Sequence, residues 1–281
     1  VSRISECFER LKQKDRAALV PYVMTGDPHP DATVDIMHAL VDGGADMIEL
    51  GMPFSDPVAD GPVIQTAGER ALAAGQRLKH SLEAAKAFRA RDSQTPIILM
   101  GYLNPIEIMG TERFVAAAAE AGVDAVLLVD APPEESIELV PLLRENGLDM
   151  IFLVAPTTRA ERRKTLAEMA SGFIYYVSLK GVTGAGGLDA PAVREQLAEI
   201  RPLTTLPLGV GFGIRDAKTA AAVAEFADAV IVGSSLVSHL HEAAGRGENP
   251  ATAAREFIEP LSRAMGRTRG QQNDQKEAAI Q

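Results

Sequence analysis

Residues 18–50 read ALVPYVMTGDPHPDATVDIMHALVDGGADMIEL and hold one complete strand–helix–strand unit. ALVPYVMT (18–25) and DMIEL (46–50) are short apolar runs of the kind that form strands buried on both faces. The intervening PDATVDIMHALVDGG (30–44) has helical periodicity and stops at glycine, as helix C-termini tend to. A helical connection of this kind is the crossover that parallel strands require.

The unit recurs along the chain. Further apolar runs are PIILMGY (96–102), DAVLLVD (124–130), DMIFLVAP (149–156), FIYYVSL (173–179), PLGVGFG (207–213) and DAVIVGS (228–234). Helical segments such as ERFVAAAAEAG (112–122) and REQLAEI (194–200) lie between them. Eight successive β/α units predict a closed parallel barrel, the (β/α)8 or TIM fold, and 281 residues accommodate its typical length of about 250. On pattern alone, a doubly wound open sheet uses the same alternation. Ahead of the first strand, VSRISECFERLKQK (1–14) carries Ile4, Phe8 and Leu11 at helical spacing, which predicts an extra N-terminal helix. No linker divides the chain, so residues 1–265 are expected to be a single domain. The polar end GRTRGQQNDQKEAAIQ (266–281) is expected to be a flexible tail.

A formal net charge of −10 opposes binding to nucleic acid or to an anionic membrane surface. An anionic substrate must then be held by local dipoles rather than by a general positive field. The single cysteine, Cys7, cannot form an intramolecular disulfide, which suits a reducing compartment and a packing role. There is no signal-peptide core, and no apolar run reaches the roughly 18 residues of a membrane span. The expected location is cytoplasmic, and a transit peptide removed ahead of residue 1 is compatible with it.

In a barrel of this kind chemistry sits at the C-terminal ends of the strands. The second strand leads into ELGMPFSDPVADGP (49–62). Glu49 at the end of an apolar run costs desolvation unless it is used or paired. Pro53, Pro57 and Pro62 stiffen the loop that carries Asp56 and Asp60. The same loop also reads as an ordinary turn, with Asp60-Gly61 as a turn pair. A phosphate site is indicated where GVGFG (209–213) ends strand seven and GSS (233–235) opens the helix SLVSHLHEA (235–243). Glycines let backbone N–H groups approach an anion, and a helix N-terminus adds partial positive charge. KGVTGAGGLDAP (180–191), after strand six, has the glycines of a mobile lid. Tight βα turns need glycine too, so that alternative stays open.

No metal is expected. His239 and His241 are two apart on a predicted helix and do not share a face, and His29, His38 and His80 have no cysteine nearby. Lys180 stands where some barrel aldolases place a Schiff-base lysine, but it sits among glycines and reads better as a solvated loop residue.

ELGMPFSDPVADGPVIQ (49–65) closely resembles the most specific signature of the tryptophan synthase alpha subunit family. TGDP (25–28), MGYLNPI (100–106), GVTGA (181–185), GFGI (211–214) and VGSSLV (232–237) follow in that family's order, so the resemblance spans residues 22 to 237. It implies a TIM barrel that cleaves indole-3-glycerol phosphate to indole and glyceraldehyde 3-phosphate by a retro-aldol reaction, in tryptophan biosynthesis. It implies Glu49 and Asp60 as the catalytic carboxylates. Gly184, Gly213, Gly233 and Ser234 match the family's phosphate cradle, with Gly211 and Ser235 beside it. Tyr22, Met100, Tyr102, Leu127, Tyr175, Thr183 and Phe212 match the pocket around the indole ring and the lid.

Further implications are no cofactor in this chain and a pyridoxal-phosphate-containing beta subunit docked over the barrel mouth, as an α2β2 assembly. Asp56, Pro57, Asn104 and Pro132 belong to stiff loop pieces that follow barrel strands on the face of Glu49 and would present that surface. The chain departs from the family pattern in reading SLKGVTG where many members carry arginine before GVTG, in Tyr22 where Phe is common, and in Met52 where a branched residue is usual. The rival readings are a sugar-phosphate epimerase or isomerase, a class I aldolase using Lys180, and a barrel that only binds and regulates a partner.

Overall fold

All seven residues of strand β1 (Ala18–Met24) are buried, as a strand covered on both faces must be. The computed structural model describes residues 2–177, 189–211 and 213–266. Helix α1 (Arg3–Lys12) precedes β1, and α2 (Thr33–Asp42) follows it after a 3-10 turn at Pro30–Ala32. Then come β2 (Ile48–Gly51), α3 (Pro62–Ala73), α4 (Leu78–Arg89), β3 (Ile97–Gly101), α5 (Leu103–Met109), α6 (Thr111–Glu120) and β4 (Ala125–Leu128). The chain continues through α7 (Leu139–Glu145), β5 (Asp149–Val154), α8 (Ala160–Met169), β6 (Ile174–Val177), α9 (Ala190–Ile200) and β7 (Leu208–Gly211). It ends with α10 (Ala217–Ala224), β8 (Ala229–Val232), α11 (Ser234–Gly245) and α12 (Pro250–Met265).

The eight strands pair in sequence order, and β8 returns to β1 in parallel with Ala18 opposite Ala229. The barrel is closed, so the open-sheet alternative falls. Two helices rather than one follow β2, β3 and β8. The tail from residue 267 onward lies outside the described residues. No helix among the described residues is long and apolar enough to cross a membrane.

Two cores result. One fills the space between strands and surrounding helices, with Ile36, Leu50, Phe88, Leu99 and Phe114 among its fully buried members. The other fills the barrel itself and joins Val20, Ile98, Leu127, Ile151 and Phe173 to the underside helix α1. The N-terminal helix expected from its spacing is present, with Ile4, Cys7, Phe8 and Leu11 buried on one face. Such side chains stabilise by about 1.5–3 kcal/mol each when fully buried. Ser2 caps this helix by accepting the Ser5 N–H at 3.3 Å, a cap typically worth about 1 kcal/mol. Burial pushes the Cys7 thiol up to about 12, which makes it an inert packing group.

The underside explains why three of the four strand runs that open with aspartate do so. Asp46 accepts the N–H of Leu19, Asp124 that of Ile97 and Asp228 that of Leu208, at 2.9, 2.8 and 2.8 Å. Each carboxylate therefore ties one strand to the start of its neighbour. Each also holds an arginine: Arg16 on Asp46, Arg89 and Arg3 on Asp124, and Arg201 on Asp228. With the lower end closed by α1 and these pairs, the open end is the C-terminal one.

Candidate active site

Glu49 lies on β2 between Tyr22 of β1 and Ile98 of β3. Period-two alternation turns its side chain to the barrel interior, where it is 1% exposed. Neither carboxylate oxygen has a hydrogen-bond partner among the described residues. Burial, reinforced by the charge of Asp60, pushes its pKa up to about 8. An unpaired carboxyl so deeply buried is costly for folding and marks a group kept for chemistry.

Asp60 comes from the loop between β2 and α3 and is partly buried at the same cavity. Burial raises its pKa to about 6, and a hydrogen bond from Tyr102 opposes that rise. The loop is held by side chains from neighbouring elements. Tyr102, at the start of α5, accepts the Ala59 N–H on its hydroxyl at 3.1 Å and lays its ring 5.0 Å from that of Phe54. Gln65 of α3 donates to the carbonyls of Asp60 and Pro57 at 2.9 and 3.1 Å. Gln65 was not anticipated as a brace. The TGDP turn supports the same region: Thr25 donates to the Gly51 carbonyl at 2.8 Å, and Asp27 grips Arg70 of α3 at 2.6 Å.

The carboxylates share a cavity of about 360 Å³ at the C-terminal end of the strands. Of the expected indole-pocket residues, Tyr22, Met100 and Tyr175 line it. Burial and the charge of Glu49 raise the Tyr175 pKa, which places that hydroxyl in the field of the carboxylate. Tyr102 braces the Asp60 loop instead of forming the wall, and Leu127 belongs to the barrel interior below. Thr183, Gly184 and Phe212 lie outside the described residues. Val63, Ile64 and Ile231 supply apolar wall that sequence reading missed, because no local pattern separates them from ordinary helix and strand residues.

The expected phosphate end of the cavity includes Gly213, Gly233, Ser234 and Ser235. Gly213 has φ +81°, a left-handed conformation that favours glycine. Gly233 is the N-cap of α11 and makes no side-chain cap, so the first N–H groups of that helix have no cap acceptor. Ser235 spends its hydroxyl hydrogen on the Ile214 carbonyl at 2.8 Å, and so ties α11 to the loop after β7. Gly211 does not line the cavity. A Cβ there would lie 2.2 Å from the Tyr175 hydroxyl, so its missing side chain makes room for that ring. Among the described residues no group of three or more His, Cys, Asp or Glu is placed to hold a metal ion.

Fold and cavity together define a (β/α)8-barrel enzyme with its polar working groups at the strands' C-terminal ends. The family model for the tryptophan synthase alpha chain matches residues 8–265. The alpha chain of Thioalkalivibrio sulfidiphilus is 57% identical over 94% of this chain and 100% of its own. The crystal structure of the tryptophan synthase subunit alpha of Legionella pneumophila superposes with a TM-score of 0.89 at 44% identity, covering 94% of this chain and 98% of that one. A structure of M. tuberculosis tryptophan synthase in an aminoacrylate-bound form reaches 0.84 at 34% identity, over 94% and 100%. The chain belongs to the tryptophan synthase alpha chain family. It is an indole-3-glycerol-phosphate lyase of tryptophan biosynthesis. The alpha reaction needs no cofactor, and pyridoxal phosphate belongs to the beta subunit.

Proposed function

We propose that Glu49 is the general acid and base of the cleavage and that Asp60 stabilises the cationic intermediate. Glu49, protonated, gives its proton to C3 of the indole ring, and the ring nitrogen becomes part of an iminium. Asp60 accepts the N–H of that cation. The Glu49 carboxylate then takes the proton of the hydroxyl on the carbon attached to C3. That oxygen forms the aldehyde carbonyl, the C–C bond breaks, and its electron pair restores the neutral indole. Glu49 ends protonated, ready for another turnover. The ring is its own electron sink, so the reaction requires neither a Schiff base nor a metal. The carrying observation is the burial of Glu49 with neither oxygen partnered among the described residues, which raises its pKa to about 8. The test uses free indole in D2O with the isolated chain and glycerol 3-phosphate: deuterium should enter C3, and Glu49→Gln should stop it. Continued exchange in that variant would remove Glu49 from the role.

The substrate phosphate is assigned to Gly213, Gly233 and Ser234, with Gly184 completing the cradle. The N-terminus of α11, which opens on Gly233 without a side-chain cap, supports this. We further read residues 1–265 as one domain in a cytoplasmic protein. A beta-subunit partner is consistent with the family. The docking face assigned here holds Asp56, Pro57, Asn104 and Pro132, and three large apolar side chains support it. Val58, Ile108 and Ile137 are 86, 79 and 64% exposed, and they sit in the segments after β2, β3 and β4 around the mouth. Ile108→Asp and Ile137→Asp should abolish co-elution with the beta subunit while isolated cleavage persists. Unchanged co-elution would move the interface elsewhere.

A further inference from the structure

Arg215 lines the cavity beside Gly213 and Ile214, and it is the one cation among the described lining residues. It follows the left-handed turn at Gly213 and faces the same space as Gly233, Ser234 and Ser235 from α11. Its side chain is exposed and has no hydrogen bond or ion pair to a carboxylate among the described residues. The adjacent Asp216 feels the charge of Arg215 but is engaged elsewhere. That carboxylate caps α10, accepting the Thr219 N–H at 2.8 Å and the Thr219 hydroxyl at 2.7 Å.

The cavity meanwhile poses an electrostatic problem. A phosphate monoester is close to a dianion at neutral pH, and it must enter a chain of net charge −10, in a pocket already holding Glu49 and Asp60. The cradle offers backbone dipoles and hydroxyls but no full positive charge. Helix-terminus dipoles are worth about half a charge and act over the first turn only. Arg70 and Arg162, on α3 and α8, are each paired with a carboxylate, Asp27 and Glu134. Arg215 is left over at the place where an anion has to arrive.

We propose that Arg215 is the cationic arm of the phosphate site: its guanidinium pairs with the phosphate oxygens and selects phosphorylated over neutral indole ligands. The proposal rests on the cradle assignment above and adds to it the residue that sets charge selectivity. A planar guanidinium on a flexible stem can donate two parallel hydrogen bonds to a phosphate and follow it from solvent into the cradle. The solvent exposure of Arg215 suits such a capture role.

The test is steady-state cleavage by the full chain, inhibited in turn by glycerol 3-phosphate, inorganic phosphate and indole. Arg215→Ala should raise KM and both phosphate inhibition constants about tenfold, as loss of a charged hydrogen bond does at a solvated site. Its kcat should stay within about twofold of the original, and indole inhibition should not move. Arg215→Lys should recover most of the affinity, and the salt dependence of phosphate binding should be shallower in Arg215→Ala. Gly233→Val serves as the control for the cradle itself. If that control loses phosphate affinity while Arg215→Ala keeps it within twofold, Arg215 is no part of the site and the cradle stands. If neither variant changes phosphate binding, the anion binds elsewhere and both assignments fall. Equal weakening of indole and glycerol 3-phosphate by Arg215→Ala would also overturn the proposal, because it would report a reshaped pocket.

Discussion

Asp124, at the underside of the barrel, holds Arg89 at 2.6 Å, Arg3 at 2.8 Å and the Ile97 N–H at 2.8 Å. Glu49, at the upper end and just as deeply buried, holds nothing among the described residues. Both are carboxylates at the ends of apolar strand runs. One closes the lower end of the structure, and the other, without a partner among the described residues, has its pKa raised to about 8. Burial alone raises a carboxyl pKa, and it does so even at Asp46, where Arg16 and the Leu19 N–H oppose the rise. The difference between the ends is partners. Where arginine and backbone N–H converge on it, a buried acid becomes a tie. Where tyrosine rings, methionine and a second acid surround it, it becomes a reagent.

Exchanging groups at the two ends should separate stability from activity. Glu49→Gln should lower kcat by 10³-fold or more, on the order of a general acid–base contribution, without lowering the denaturation midpoint. Asp124→Ala should do the reverse. Removing one partner of a buried ion pair costs about 3 kcal/mol, read by urea unfolding, while kcat stays within a few-fold. A Glu49→Gln enzyme with near-normal turnover, or an Asp124→Ala protein as stable as the original, would break the contrast.

The pH dependence sharpens it. The folded-state pKa of Glu49 lies above its unfolded value of 4.5, so its folding contribution is complete below that value and is lost as pH rises towards about 8. The original chain should therefore lose stability relative to Glu49→Gln across that window. Equal slopes of stability against pH would mean that Glu49 is not held neutral. Turnover should follow a bell, because the mechanism needs Asp60 charged above about 6 and Glu49 protonated below about 8. Asp60→Asn should remove the acidic limb and lower kcat on the order of 10²-fold.

The smallest expected effect is at Tyr102. Its hydroxyl lowers the Asp60 pKa and receives the Ala59 N–H. Tyr102→Phe should lower kcat several-fold and move the acidic limb of the pH profile upward. An unmoved limb would show that Tyr102 positions the loop without tuning the acid.

Much of the site was legible beforehand. Glu49, Asp60, Gly213, Gly233 and Ser234 stand in contiguous motifs, and the strand-to-loop transitions fixed which end of the barrel they share. Gly211 and Ser235 were legible as site neighbours, whereas the packing contacts they make were not. One yields space to Tyr175 and the other straps α11 to Ile214. Arg215 gave no local signal, and Ile64 and Gln65 closed the 49–65 motif without showing what they would touch. Ile64 and Arg215 face groups across the cavity, and Gln65 reaches back to the Pro57 and Asp60 carbonyls only once the loop has folded.

Sequence alone determined the alternation of strands and helices, the helix on the underside and the carboxylates available for chemistry. Hydrophobic period and motif spacing are properties of neighbouring residues, so the chain carries them before it folds. Closure of the sheet, the pairing of Asp46, Asp124 and Asp228 with arginines, and the isolation of Glu49 were decided only by tertiary structure. A pKa is set by desolvation and by every charge within reach, and those arrive from strands and loops remote in sequence. The same carboxylate could have been a tie or an acid, and its folded surroundings made the choice.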